Sequence, residues 1–231
     1  MKRFYKDVAA DRTPQGFRIL LDGKPVQTPG RQTLLLPAAA LAEAIAEEWR
    51  SQGEEIQAIS MPMLRLANTV QDGVRANRAD VAAAILRFGE HDLICYRAES
   101  PAELLRRQRE TWDPMLAWAE QELAAGLCTT QGVGHIVQPP SVLAALKNAV
   151  TAYDDYGLAA LHVKASITGS LVLALALARG ALNPAQAFQL SRLDEIFQAE
   201  IWGLDREAED RARALAREMD VAARFFALTQ P

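Results

Sequence analysis

Apolar residues alternate with polar ones early in the chain and recur at helical spacing later. Phe17-Arg18-Ile19-Leu20-Leu21 has the pattern of a strand and ends at Asp22-Gly23, a strong hairpin signal. Lys24 to Thr28 returns, Thr28-Pro29-Gly30 marks a second turn, and Arg31 to Leu36 supplies a third strand. Pro37 then opens an Ala-rich helix, as Pro favours a first turn. Its Leu41, Ile45 and Trp49 are spaced by four, and Gly53 ends it. Residues 54–59 are expected to form a further strand before Met61-Pro62.

Beyond Pro62 the texture becomes helical. Helices are predicted over 64–74 and 78–88, and the short apolar run 92–96 fits either a strand or a buried helical turn. Pro101 opens a long helix through Leu105, Trp112, Leu116 and Leu123, which Pro114 is expected to kink or restart. Residues 126–140, rich in Gly, Thr and Pro, form a loop. Helices over 141–153, 157–179, 184–202 and 205–228 complete the pattern, with Asn183-Pro184 a good start and Gly203 a good stop. The expected fold class is α+β: a small antiparallel β-rich N-terminal domain, residues 1–62, followed by a larger all-helical C-terminal domain, residues 63–231.

Composition narrows the class. The chain has 231 residues, half of them hydrophobic and 23% charged, as in ordinary soluble globular proteins with a sizeable core. The formal net charge of -4 speaks against a nucleic-acid partner, whose electrostatic footprint would be basic. Cys95 and Cys128 match neither a metal motif nor a disulfide framework and are expected to be reduced thiols, Cys95 in the core. No secretory signal follows Met1, and the longest apolar stretch, 171–178, is far shorter than the roughly 20 residues that span a bilayer. These features imply no membrane insertion and a bacterial cytoplasm, or a mitochondrial matrix if a leader has been removed.

One segment combines apolar residues and carboxylates in an unusual way. On a helix wheel of 193–203, Leu190, Leu193, Phe197, Ile201 and Leu204 share one face, and Glu200 falls between Leu193, Ile196 and Phe197. A carboxylate there must be paired, neutralised or reserved for a partner, because burying an unpaired charge is costly. Acids are dense from Asp194 to Asp210, with Arg206 the one basic residue. Asp205, Glu207 and Glu209 suit a helix N-terminus, which leaves Glu200 to be explained.

Other constellations have simpler readings. Thr168 to Leu175 is apolar nearly all round, the mark of a central buried helix. His91, His135 and His162 are scattered, with no metal-ligand spacing, and are expected to be isolated. Arg97, Arg106, Arg107 and Arg109 are expected to be solvated charges with an ion pair or two. No cofactor loop is present, and no cofactor is expected. An enzyme of unknown type, with Asp194, Glu195 and Glu200 as acid/base groups in an interdomain cleft, is one alternative, and a scaffold in some other complex is another.

The chain resembles the assembly chaperones of the F-type ATP synthase catalytic head that act on its α subunit, the ATP-twelve family of mitochondria and alphaproteobacteria. The resemblance runs through Arg3-Phe4-Tyr5-Lys6-Asp7-Val8, Leu21-Asp22-Gly23-Lys24-Pro25, Thr28-Pro29, Met61-Pro62 and Leu66-Ala67-Asn68-Thr69. It continues through Asp92 to Arg97, Trp112-Asp113-Pro114, Thr168 to Leu171 and the segment ending at Trp202-Gly203. The order and spacing of these short motifs carry it. It implies a two-domain, non-catalytic protein, a monomer when free, that binds the unassembled α subunit and keeps it from aggregating until the β subunit displaces it. It also ties acidic residues of the C-terminal domain to that role. Glu200 and Glu195 are the positional matches, with Asp194 and Asp205 as neighbours and Phe197 and Trp202 as apolar support.

Overall fold

The computed structural model describes residues 1–132, 134–203 and 205–229. Leu204, placed on the apolar face above, and Val133 of the expected loop lie outside the described residues. Packing groups the chain into two units. The first comprises Met1–Arg78, Asp155–Ala160 and the chain from Arg224 on, and the second comprises Ala79–Asp154 and Leu161–Ala223. The sequence reading set a single boundary at Pro62, which here lies inside the first unit as the first residue of a helix.

The first unit is built on an antiparallel sheet of β1 (Val8–Thr13), β2 (Gly16–Leu21) and β3 (Lys24–Pro25), in that order. The Asp22-Gly23 turn joins β2 to β3 with both residues at positive φ, 47° and 78°, as a two-residue hairpin of this twist requires. The expected third strand over 31–36 is reduced to isolated bridges, Gln27 with Thr33 and Phe17 with Leu36. β1 was not predicted. It pairs with β2 along its whole length, from Val8 opposite Leu21 to Thr13 opposite Gly16.

Helix α1 (Ala39–Arg50) buries Leu41, Ala42, Ile45, Ala46 and Trp49, the stripe its spacing predicted. Residues 54–59 form no regular strand: Glu55 bridges Lys2, and Ala58–Ser60 is a 3-10 turn. Helix α2 (Pro62–Thr69) starts on a carboxylate. Glu48 of α1 accepts hydrogen bonds from the backbone N–H groups of Met63 (2.7 Å) and Leu64 (2.9 Å), two of the donors that a helix start leaves open. The α2 helix runs on into a π-helical turn, Val70–Val74.

The second unit holds most of α3 (Arg78–Glu90), α4 (Ala102–Leu123), α5 (Pro140–Thr151), most of α6 (Asp155–Thr168), α7 (Leu171–Ala178), α8 (Pro184–Ser191), α9 (Leu193–Trp202) and most of α10 (Arg206–Thr229). It departs from all-helical at one point. Leu93–Cys95 is a 3-10 turn, and the extended pair β4 (Tyr96–Arg97) lies parallel to β5 (Thr130–Gln131). α4 continues through Pro114, where a kink or restart was expected, with Trp112 and Ala119 buried on either side.

Two expected helices are broken. The 157–179 pattern splits at Gly169, whose φ is 63°, and Ser170 caps α7 by accepting from Leu173 N–H at 3.0 Å. The 184–202 pattern splits at Arg192 into α8 and α9. As its apolar sequence predicted, α7 is buried from Leu171 to Leu177. Among the described residues, no helix is long and apolar enough to cross a membrane.

Candidate functional site

Helix α9 carries most of the residues singled out in the sequence. Asp194 and Glu195 occupy its first turn, where carboxylates complement the helix dipole. Gly203, at φ 91°, ends it, its N–H bonding back to Ala199 O at 2.9 Å. Phe197 is the one α9 side chain that is buried, at 7% exposure. Ile196, Ile201 and Trp202 stand open to solvent at 40%, 54% and 78%.

The α4 helix holds α9 through three contacts and the end of α8 through one. Trp112 Nε1–H donates to Leu190 O at 2.9 Å, just ahead of α9. Gln108 Nε2–H donates to Asp194 Oδ1 at 2.8 Å. The Arg107 guanidinium lies over the Phe197 ring, 5.2 Å from its centre. Arg107 Nη1 also pairs with Glu200 Oε2 at 2.7 Å. Arg107 is held in turn by Glu103 through Nε at 3.0 Å. Hydrogen bonds from Arg106 and Arg107 hold the Glu103 carboxyl low, at about 2, and those from Glu103 and then Glu200 raise the Arg107 pKa.

The wheel set Glu200 on the apolar face, and the structure corrects the meaning of that position. Glu200 is half-exposed, with 49% of its side chain accessible, because it stands at the flank of the buried Phe197, where it pairs with Arg107 of α4. The packing face is defined by Phe197 and α4, whose Arg107 stands 93 positions earlier in the chain. Glu195 pairs with Arg192, the residue just before its helix, at 3.1 Å. Asp205 accepts from the N–H groups of Glu207 (3.3 Å) and Ala208 (3.4 Å) and so starts α10. Asp194, Glu195 and Glu200 are thus each bonded to a different partner.

Two other expectations change. Arg97 is not solvated: at 5% exposure it donates to Gln108 O (2.7 Å), pairs with Asp113 (2.6 Å) and lies over the Trp112 ring at 5.1 Å. His91 and His135 are not isolated, since their rings lie 4.9 Å apart. Among the described residues, no group of three or more His, Cys, Asp or Glu is arranged to hold a metal. Cys95 is buried and Cys128 exposed, both free thiols.

Sequence reasoning missed Gln108 and Glu103 as parts of this site, and it expected of Arg107 an ion pair with an acidic helix without naming Glu200 as the partner. The Glu103–Arg107 spacing of four was legible as a helix pair, but the reach to Glu200 was not.

Comparison with known proteins places the chain in a class of chaperones. The family described as "ATP12 chaperone protein" matches residues 2–120. The chain belongs to this family, the ATP synthase assembly chaperones that its motifs resemble. It is 44% identical to the solved Atp12 of Paracoccus denitrificans, with a TM-score of 0.96 over 99% of this chain and 98% of that one. A mutant of the same Paracoccus protein matches at 43% identity and a TM-score of 0.97, over the same shares of each chain. The mitochondrial protein atp12 of Schizosaccharomyces pombe is 24% identical over 221 residues, 90% of this chain and 76% of that relative. The relatives matched are named chaperones or Atp12 proteins.

Proposed function

We propose that this protein is a non-catalytic assembly chaperone that binds the unassembled α subunit of ATP synthase, prevents its aggregation and yields it to the β subunit. The observation that carries the reading is the open end of α9 in a chain of this family. Ile201 and Trp202 present apolar surface to solvent, and a tryptophan is the side chain most often found as an interface anchor. A free α subunit exposes the surfaces meant for its neighbours in a ring, and such apolar surfaces aggregate.

In this reading Trp202 is the anchor, and Glu200 and Glu195 form the charged rim that fixes register. Phe197 and Asp194 hold α9 against α4, and Asp205 sets the start of α10 beside the surface. The place of work is the bacterial cytoplasm, supported by the higher identity to the Paracoccus protein than to the mitochondrial relative.

The test is light scattering of ATP synthase α subunit diluted from denaturant, with this protein added. The wild type should suppress the scattering, and Glu200→Lys and Trp202→Ala should lose suppression while keeping their helical circular dichroism. Folded variants that protect the client as well as the wild type would remove this face from the site.

A further inference from the structure

Five charged side chains form a continuous chain along α4 and onto α9. Arg106 pairs with both oxygens of Glu110, at 2.6 and 2.7 Å, and with both oxygens of Glu103, at 2.7 and 3.0 Å. Glu103 also holds Arg107 Nε at 3.0 Å, and Arg107 Nη1 ends the chain on Glu200 Oε2 at 2.7 Å. Three carboxylates therefore share two guanidiniums, leaving one negative charge in excess. Glu110 is bonded through both oxygens and Glu103 is shared by two arginines. Among the described residues, Glu200 is bonded through Oε2 alone, and it stands half-exposed two positions before Trp202.

Exposed ion pairs are weak, worth about two- to fivefold in an equilibrium constant. Arg107 can leave Glu200 at that small cost, and Glu103 and the Phe197 ring keep it paired and packed when it does. An incoming cation would meet a carboxylate already ordered, which lowers the entropy of binding. A partner without a cation would gain nothing from Glu200, which favours the right client over other apolar surfaces.

We infer that Arg107 is a placeholder: it occupies Glu200 in the free protein, and an arginine or lysine of the client takes the carboxylate over on binding while Glu103 retains Arg107. The inference rests on the reading that the outer face of α9 receives the α subunit. The client surface it specifies carries a cation that reaches Glu200 where α9 meets α4.

The experiment compares the chaperone concentration that halves α-subunit scattering for the wild type and three variants. Arg107→Met keeps an apolar stem over Phe197 and removes the competing cation, so it should act at two- to fivefold lower concentration. Glu103→Gln leaves Arg107 to Glu200 alone and should need a two- to fivefold higher concentration. Glu200→Gln should need more protein than the wild type, and Arg107→Met should have no further effect in that background. Melting temperatures check the fold, and Glu103→Gln keeps the test open if Arg107→Met melts. Protection by Arg107→Met that is unchanged or weaker, or by Glu103→Gln that is unchanged or stronger, overturns the placeholder. If the wild type gives no protection, the functional reading fails and the inference falls with it. If the wild type protects and the variants do not shift as stated, only the placeholder fails.

Discussion

Asp92 Oδ2 accepts a hydrogen bond from the backbone N–H of Val172 at 3.0 Å, across eighty positions of chain. Oδ1 of the same carboxyl accepts from Ile94 N–H at 3.3 Å. One fully buried side chain therefore joins the 3-10 turn before β4 to the start of the buried helix α7. Burial pushes its pKa up to about 6, and hydrogen bonds from the Ser170 side chain and the amides of Val172, Ile94 and Leu171 pull the other way without cancelling it.

That shift fixes a pH dependence. The folded value of about 6 lies above the unfolded value of about 3.9, so the folded state binds the extra proton between the two. The contribution of Asp92 to stability is complete below about pH 4, is lost as pH rises to about 6, and is level above that. It amounts to about 3 kcal/mol at most. Urea unfolding from pH 4 to 7 measures it as the difference between wild type and Asp92→Asn: the wild type should lose stability relative to the variant as pH rises. A difference that stays flat, or that moves the other way, contradicts the assignment.

Removing the carboxyl has a separate effect. Asp92→Ala leaves the buried N–H groups of Val172 and Ile94 without their acceptor and should cost about 2–4 kcal/mol, read as a lower urea midpoint.

Gly169 is required by its backbone. At φ 63° it takes the left-handed conformation that turns the chain from α6 to α7, and its carbonyl accepts from Leu93 N–H at 3.0 Å. A Cβ there would meet only Leu93 Cβ, at 3.8 Å, so the cost of Gly169→Ala is conformational and not steric. Thermal melts should show a loss of about 1–2 kcal/mol.

Arg97 needs a guanidinium. It donates to Gln108 O and pairs with Asp113 while its face lies over Trp112, and an ammonium cannot hold that fork and that stack together. Arg97→Lys should destabilise by about 2 kcal/mol and shift tryptophan fluorescence, whereas Asp113→Asn, at the exposed end of the pair, should cost under about 1 kcal/mol.

What the sequence disclosed follows from how local each signal was. The Asp22-Gly23 hairpin, the α1 stripe and the buried α7 were legible because turn chemistry and periodicity sit within a few residues. β1 escaped notice because Ala9-Ala10-Asp11 has little strand character and gains its structure from pairing with β2. The break at Gly169 was hidden because Thr168-Gly169-Ser170 also fits a small-residue stripe, and only the positive φ and the Ser170 cap separate the two. For Glu200 the wheel found an anomalous carboxylate but not its partner, since Arg107 is brought to it by the packing of α4 on Phe197. Arg97 was misplaced for the same reason: its burial depends on Trp112 and Gln108, fifteen and eleven positions away.

If the outer face of α9 receives the α subunit, hydrogen exchange measured on this protein alone and in complex with the α subunit should slow across residues 196–203, and Trp202→Ala should lose both the slowing and the complex. Unchanged exchange over 196–203 in a complex that protects some other surface would contradict it.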